Sequence, residues 1–87
     1  MTANQGSVEQ RVMALVADAA GIPASDVNPA AEFTSVGMGS LERLECVLNI
    51  EDAFAVELDE SDLRKLRTVR ELISAVETAV ARQHARS

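Results

Sequence analysis

The stretch SVGMGSLERLECVLNIEDAF, residues 35–54, decides how the chain is read. A loop carrying Gly37 and Gly39 ends at Ser40. Leu41, Leu44, Val47, Leu48 and Phe54 then form an apolar stripe at helical spacing, with Cys46 and Ile50 at its margins. Glu42, Glu45, Glu51 and Asp52 fall mostly away from the stripe's centre. The spacing predicts a helix over 40–54 with a serine at its mouth. Gly39 precedes that serine, where an acid would suit the positive end of the helix dipole.

Working outward, the same periodicity recurs on both sides. Ser7 and Gln10 have capping-box spacing. Val8, Val12, Leu15, Val16 and Ala19 make one stripe. Gly21 and Pro23 stop it, so a first helix is expected over 8–20. Residues 21–39 form a long connection holding both prolines, and a loop of that length in a compact domain is usually functional. Its Ile22, Val27, Phe33 and Val36 should pack on the core. Beyond residue 54, DESDLRKL reads as a short helix capped by Asp59 or Ser61. Thr68 and Glu71 form a further capping box, and Val69, Leu72, Ile73, Val76 and Val80 predict a last helix over 69–82. Residues 1–6 and 83–87 read as flexible tails. The expectation is one all-α domain over 1–87, a small four-helix bundle of three principal helices and one short one.

Composition narrows the class. The chain has 87 residues and a net charge of -6, from 14 acids against 8 bases. That balance argues against nucleic acid, which calls for a basic footprint, and suits partners with basic patches. Two phenylalanines are the only aromatics, so Ala, Val and Leu must build the core. Cys46 is the single cysteine, which precludes an internal disulfide and fits a reducing cytoplasm. No signal pattern opens the sequence, and no apolar run nears the ~20 residues of a membrane span. A soluble cytoplasmic protein is expected.

Ser40 has three readings. As a nucleophile it would need a base, and the one histidine, His84, lies in the expected tail. The sequence GMGSLE is not a nucleophile elbow, no strand precedes it, and no His/Cys cluster offers a metal site. The chain is therefore read as a non-enzyme. As a helix cap Ser40 would be ordinary, but a cap leaves the long loop and the following acids unexplained. As an attachment point it makes chemical sense. A phosphodiester there would meet free backbone N–H groups at the positive end of a helix. The glycines would keep side chains clear of a modifying enzyme, and the acids would offer that enzyme a landing surface.

The order and spacing of these features resemble the acyl carrier proteins. The resemblance rests on Gly21-Ile22 closing the first helix, Asp26-Val27 and then Phe33 in the loop, and Ser40-Leu41-Glu42 at the helix mouth. Ile50 to Phe54, the short acidic third helix and Thr68 to Ile73 complete it. It implies an acyl-carrier-like fold in which Ser40 carries 4'-phosphopantetheine, flanked by Gly39 and Leu41. It implies partner contacts through Glu42, Glu45, Glu51 and Asp52, and an acyl pocket touching Leu48, Phe54, Leu66 and Val69. The implied partners are a phosphopantetheinyl transferase and acyl-activating, condensing or acyltransferase enzymes of fatty-acid, polyketide or lipopeptide type. A monomer is implied, acting as a carrier and not a catalyst, with neither metal nor membrane. Gly39 replaces the family's usual acid, and Arg43 sets a cation within the acidic run. Both point to a specialised carrier of secondary metabolism. The alternatives are a peptidyl or aminoacyl carrier, and an unmodified carrier-like binding module.

Overall fold

The computed structural model describes residues 8–86. Four helices follow in order: α1 Val8–Ala20, α2 Ser40–Phe54, α3 Glu60–Lys65 and α4 Val69–Arg86. Ser7, expected to cap α1, lies outside the described residues. Gly21 closes α1 at φ 74° and donates its N–H to the Ala17 carbonyl at 2.8 Å. Among the described residues there is no strand, only an isolated bridge between Glu32 and Thr68. α1 packs against both α2 and α4. Val12, Val16, Ile50, Leu72 and Val76 are buried at the centre, with no buried polar or charged residue among those described. The last helix continues past its expected end at 82 to Arg86. No Gly or Pro interrupts Ala81 to Arg86, and alanine and arginine favour helix.

The long connection is more ordered than its composition suggests. It forms two single turns of 3-10 helix, Ala24–Asp26 and Phe33–Val36. Val27, Phe33 and Met38 bury their side chains in the core. Its backbone also closes the mouth of α4. The Val69 and Arg70 N–H groups donate to the Ala31 and Pro29 carbonyls at 3.2 and 2.8 Å. Glu71 N–H donates to Thr68 Oγ1 at 3.2 Å, and Thr68 N–H donates back to Glu71 Oε1 at 3.0 Å. The first-turn donors that a helix leaves orphaned are thus taken at α4.

α2 is rotated from its expected orientation. Cys46 and Ile50 are its buried residues, while Leu41, Leu44 and Leu48 are 63, 55 and 54% exposed. The leucine stripe that looked like the core face points outward. The inward face is Arg43, Cys46, Val47 and Ile50, at i, i+3, i+4 and i+7. Arg43 disguises that face in the sequence. Its Nη2 donates to the Leu63 and Leu66 carbonyls at 3.2 and 3.0 Å, and the guanidinium lies 5.0 Å from the Phe33 ring centroid. Arg43 therefore braces α2 to the end of α3 and does not interrupt an acidic surface.

Candidate functional site

Ser40 is the first residue of α2, and Gly39 is its N-cap in extended conformation. The serine is thus not the cap. Its side chain is exposed, and its hydroxyl has no hydrogen-bond partner among the described residues. Glu42 reaches back so that Gly39 N–H donates to its Oε1 at 3.0 Å. Gly39 has no side chain to return the bond, so only half of a capping box forms. The first-turn N–H groups of Ser40, Leu41 and Glu42 meet no acceptor among the described residues. α2 and α4 therefore differ at their mouths. The loop has filled one and left the other open.

A cavity of about 320 Å³ opens beside Ser40, between α2, α3 and the loop. Its lining includes four buried residues, Phe33, Met38, Cys46 and Leu72. Leu66, expected at an acyl pocket, lines it together with Leu63 and Val47. The other expected pocket residues lie elsewhere. Leu48 faces outward and Val69 is fully buried in the core at the start of α4. Phe54 is half-buried at the far end of α2, with the Arg11 guanidinium 4.2 Å from its ring centroid. Of the lining residues that the sequence reading did not assign to the pocket, Arg43, Cys46 and Val47 belong to the inward face of α2, and Met38, Leu63, Arg64 and Leu72 come from the loop, α3 and α4. Burial pushes the Cys46 thiol up to about 11, so it stays protonated and unreactive beside the cavity near neutral pH. A second hollow of about 400 Å³ between α3 and α4 does not include Ser40 and mixes acids with Lys65 and Arg82.

The four acids differ in surroundings. Glu45 and Asp52 are exposed. Glu42 is half-buried and engaged with Gly39. Glu51 is half-buried, and its Oε2 accepts the Leu58 N–H at 2.8 Å, which shapes the α2–α3 connection. Among the described residues no group of His, Cys, Asp and Glu could hold a metal ion, and no helix is long and apolar enough to cross a membrane.

Ser40 thus presents an exposed hydroxyl at a helix mouth whose first N–H groups are open, beside a cavity with a buried apolar wall. Residues 10–76 match the family model described as the phosphopantetheine attachment site. The chain belongs to the acyl carrier protein family. It is 33% identical over 72 residues to the acyl carrier protein of Solidesulfovibrio magneticus, covering 82% of this chain and 92% of that one. The fold superposes on the Thermotoga maritima acyl carrier protein with a TM-score of 0.77 at 21% identity, covering 92% of this chain and 99% of that one. A didomain of carboxylic acid reductase from Segniliparus rugosus gives a TM-score of 0.72 at 25% identity. There the match covers 85% of this chain but 10% of the other, so a similar carrier is built into a multidomain enzyme. The cofactor of this acyl carrier protein is 4'-phosphopantetheine, and its partners are enzymes of its pathway. The open donors of residues 40–42 fit the phosphate of that group.

Proposed function

We propose that Ser40 is the attachment residue, and that the protein tethers acyl intermediates there and delivers them to biosynthetic enzymes without catalysing a reaction itself. The observation that carries this is the contrast between helix mouths. α4 has its first-turn N–H groups occupied, and α2 leaves those of residues 40–42 open beside an exposed hydroxyl. When bound, phosphopantetheine supplies a terminal thiol on which an acyl group is held as a thioester. The chain's residues do the rest. Gly39 leaves room for a modifying enzyme, the α2 mouth holds the phosphate charge, and the cavity screens a short acyl group from water. Glu45 and Asp52 attract basic partner surfaces. A reducing cytoplasm keeps Cys46 a free thiol, in keeping with a carrier of that compartment. Gly39, standing where the family usually has an acid, supports a specialised pathway.

Intact-mass measurement after incubation with coenzyme A and a broad-specificity transferase tests the assignment. The wild type should gain one phosphopantetheine. Ser40→Ala should gain none while keeping its helicity and stability within about 0.5 kcal/mol, as befits an exposed side chain without partners. Loading of the alanine variant would move the site elsewhere. No loading of the wild type would support the unmodified binding module instead.

A further inference from the structure

We propose that Arg43 makes the cavity beside Ser40 selective for a short acyl group ending in a carboxylate, an inference that rests on attachment at Ser40. Three observations converge. The first is the sign of the lining. In a chain of 14 acids and 8 bases the cavity is lined by two bases, Arg43 and Arg64, and by no acid. The second is the state of Arg43. It is half-buried, and only its Nη2 has hydrogen-bond acceptors, both of them neutral backbone carbonyls. Its Nε and Nη1 have no acceptor among the described residues, and no carboxylate pairs with it. A guanidinium has five N–H donors in a planar fork that matches a carboxylate. Two carbonyls and the Phe33 ring compensate part of that half-buried charge, and its remaining donors are open to an anion.

The third observation is geometric. Ser40 and Arg43 are three residues apart on α2 and so neighbours on one helix face. Both line the cavity, whose buried wall of Phe33, Met38, Cys46 and Leu72 suits methylene groups. At about 320 Å³ the space is at the small end of ligand pockets, which run from ~300 to ~1,000 Å³. A few methylenes against Met38 and Leu72, with a carboxylate at Arg43, satisfy both the apolar wall and the cation. A plain alkyl chain satisfies only the wall and strips water from the unpaired guanidinium.

The test compares valeryl and glutaryl groups, which have equal carbon counts and differ by the terminal carboxylate. Each is loaded from its coenzyme A thioester by a broad-specificity transferase, and loading is checked by intact mass. The unloaded protein and the free-thiol form serve as references. Two quantities are read, the Arg43 Nε–H resonance and the rate of thioester hydrolysis relative to the free coenzyme A thioester. The glutaryl form should shift the Arg43 resonance, and the valeryl and thiol forms should not. Glutaryl should be protected roughly fivefold more than valeryl, the factor given by about 1 kcal/mol of ion pairing. Arg43→Gln, which keeps a donor for the α3 carbonyls but loses the charge, should abolish the difference. Arg43→Lys should retain part of it. Should Arg43→Gln fail to fold, the two acyl groups on the wild type still decide the matter. Equal protection of both groups overturns the inference. So does an equal Arg43 shift in the thiol form, which would pair the guanidinium with the phosphodiester. A mass gain with no glutaryl effect leaves the attachment standing and removes only the selectivity. No mass gain overturns both.

Discussion

Gly39 and Cys46 lie on either side of Ser40, the proposed attachment residue, and each makes a prediction at the scale of one side chain. A Cβ built on Gly39 would lie 3.1 Å from Glu42 Oε1, the atom that accepts the Gly39 N–H. The near atom ends a flexible side chain, so a larger residue can be admitted with a small shift of Glu42. Serine there would add a capping oxygen for the open N–H groups, worth a few tenths of a kcal/mol over glycine. Aspartate would add the same cap but set a second carboxylate beside Glu42, and like charges at such spacing cost about 0.2–0.5 kcal/mol. Against that cost stands the helix dipole, worth about 0.3–1 kcal/mol for an acid at this end, so the urea midpoint of Gly39→Asp should match or exceed that of Gly39→Ser at low salt and converge on it at high salt. Cys46 bears on pH. Desolvation raises its thiol from 9.0 to about 11. The unfolded chain thus loses that proton first, so the buried thiol's contribution is complete below pH 9 and declines as pH rises toward 11. Two pH units correspond to a loss on the order of 2–3 kcal/mol. The chain has no tyrosine and Lys65 is its one lysine, so few other groups titrate there. Urea unfolding across that range should show the alkaline decline in the wild type and a flatter profile in Cys46→Ala, whatever the variant's stability at neutral pH.

At the scale of elements, the boundaries follow from chemistry that neighbours in sequence supply. Ala55 ends α2 with φ 56° and ψ 43°, a left-handed conformation that disfavours a Cβ. Ala55→Gly relieves that strain but loosens the unfolded chain, so thermal unfolding should show a net gain of about 0.5–1 kcal/mol. The helix stops and starts could be read because Gly21, Asp59 and the Thr68–Glu71 pair cap locally. Asp59 Oδ1 accepts the Ser61 N–H at 2.8 Å, as its position before a helix suggested. Two N–H groups, of Arg67 and Thr68, hold the Glu71 carboxyl below the usual carboxylate range. The facing of α2 could not be read. Its sequence has two apolar rows, and the brighter one, Leu41, Leu44 and Leu48, belongs to solvent. The buried row starts with Arg43, whose compensation comes from carbonyls 20 and 23 residues away. Leu48 misses the cavity because it lies on the outward row of α2, whereas Leu66 sits at the end of α3, on the cavity's opposite wall.

For the whole molecule the exposed leucines pose the main question. Three leucines stand more than half exposed in one row on α2, and such a cluster of large apolar side chains at the surface marks an interaction face. With Glu45 and Asp52 they form a row at positions 41, 44, 45, 48 and 52, spaced as one face of α2 and running away from Ser40. That row has the make-up of a docking face, apolar contact for affinity and acids for steering, on a chain of net charge -6. The two ingredients can be separated by salt. Leu48→Ser removes apolar area from a side chain already 54% exposed, so stability should change by under about 1 kcal/mol. Ile50→Ala, two residues on and fully buried, should cost about 2–5 kcal/mol. If the row docks partners, Leu48→Ser should slow loading by the transferase by a factor that does not vary with ionic strength. Glu45→Lys should slow it strongly at low salt and weakly at high salt, because a charge contact beyond about 10 Å is screened at 0.1 M. Loading rates for the wild type and both variants at two salt concentrations, with thermal midpoints alongside, make the comparison. Unchanged rates for Leu48→Ser would leave the leucine row without a role in transferase docking. A salt-independent loss for Glu45→Lys would mean that the substitution acts through local contacts and not through steering.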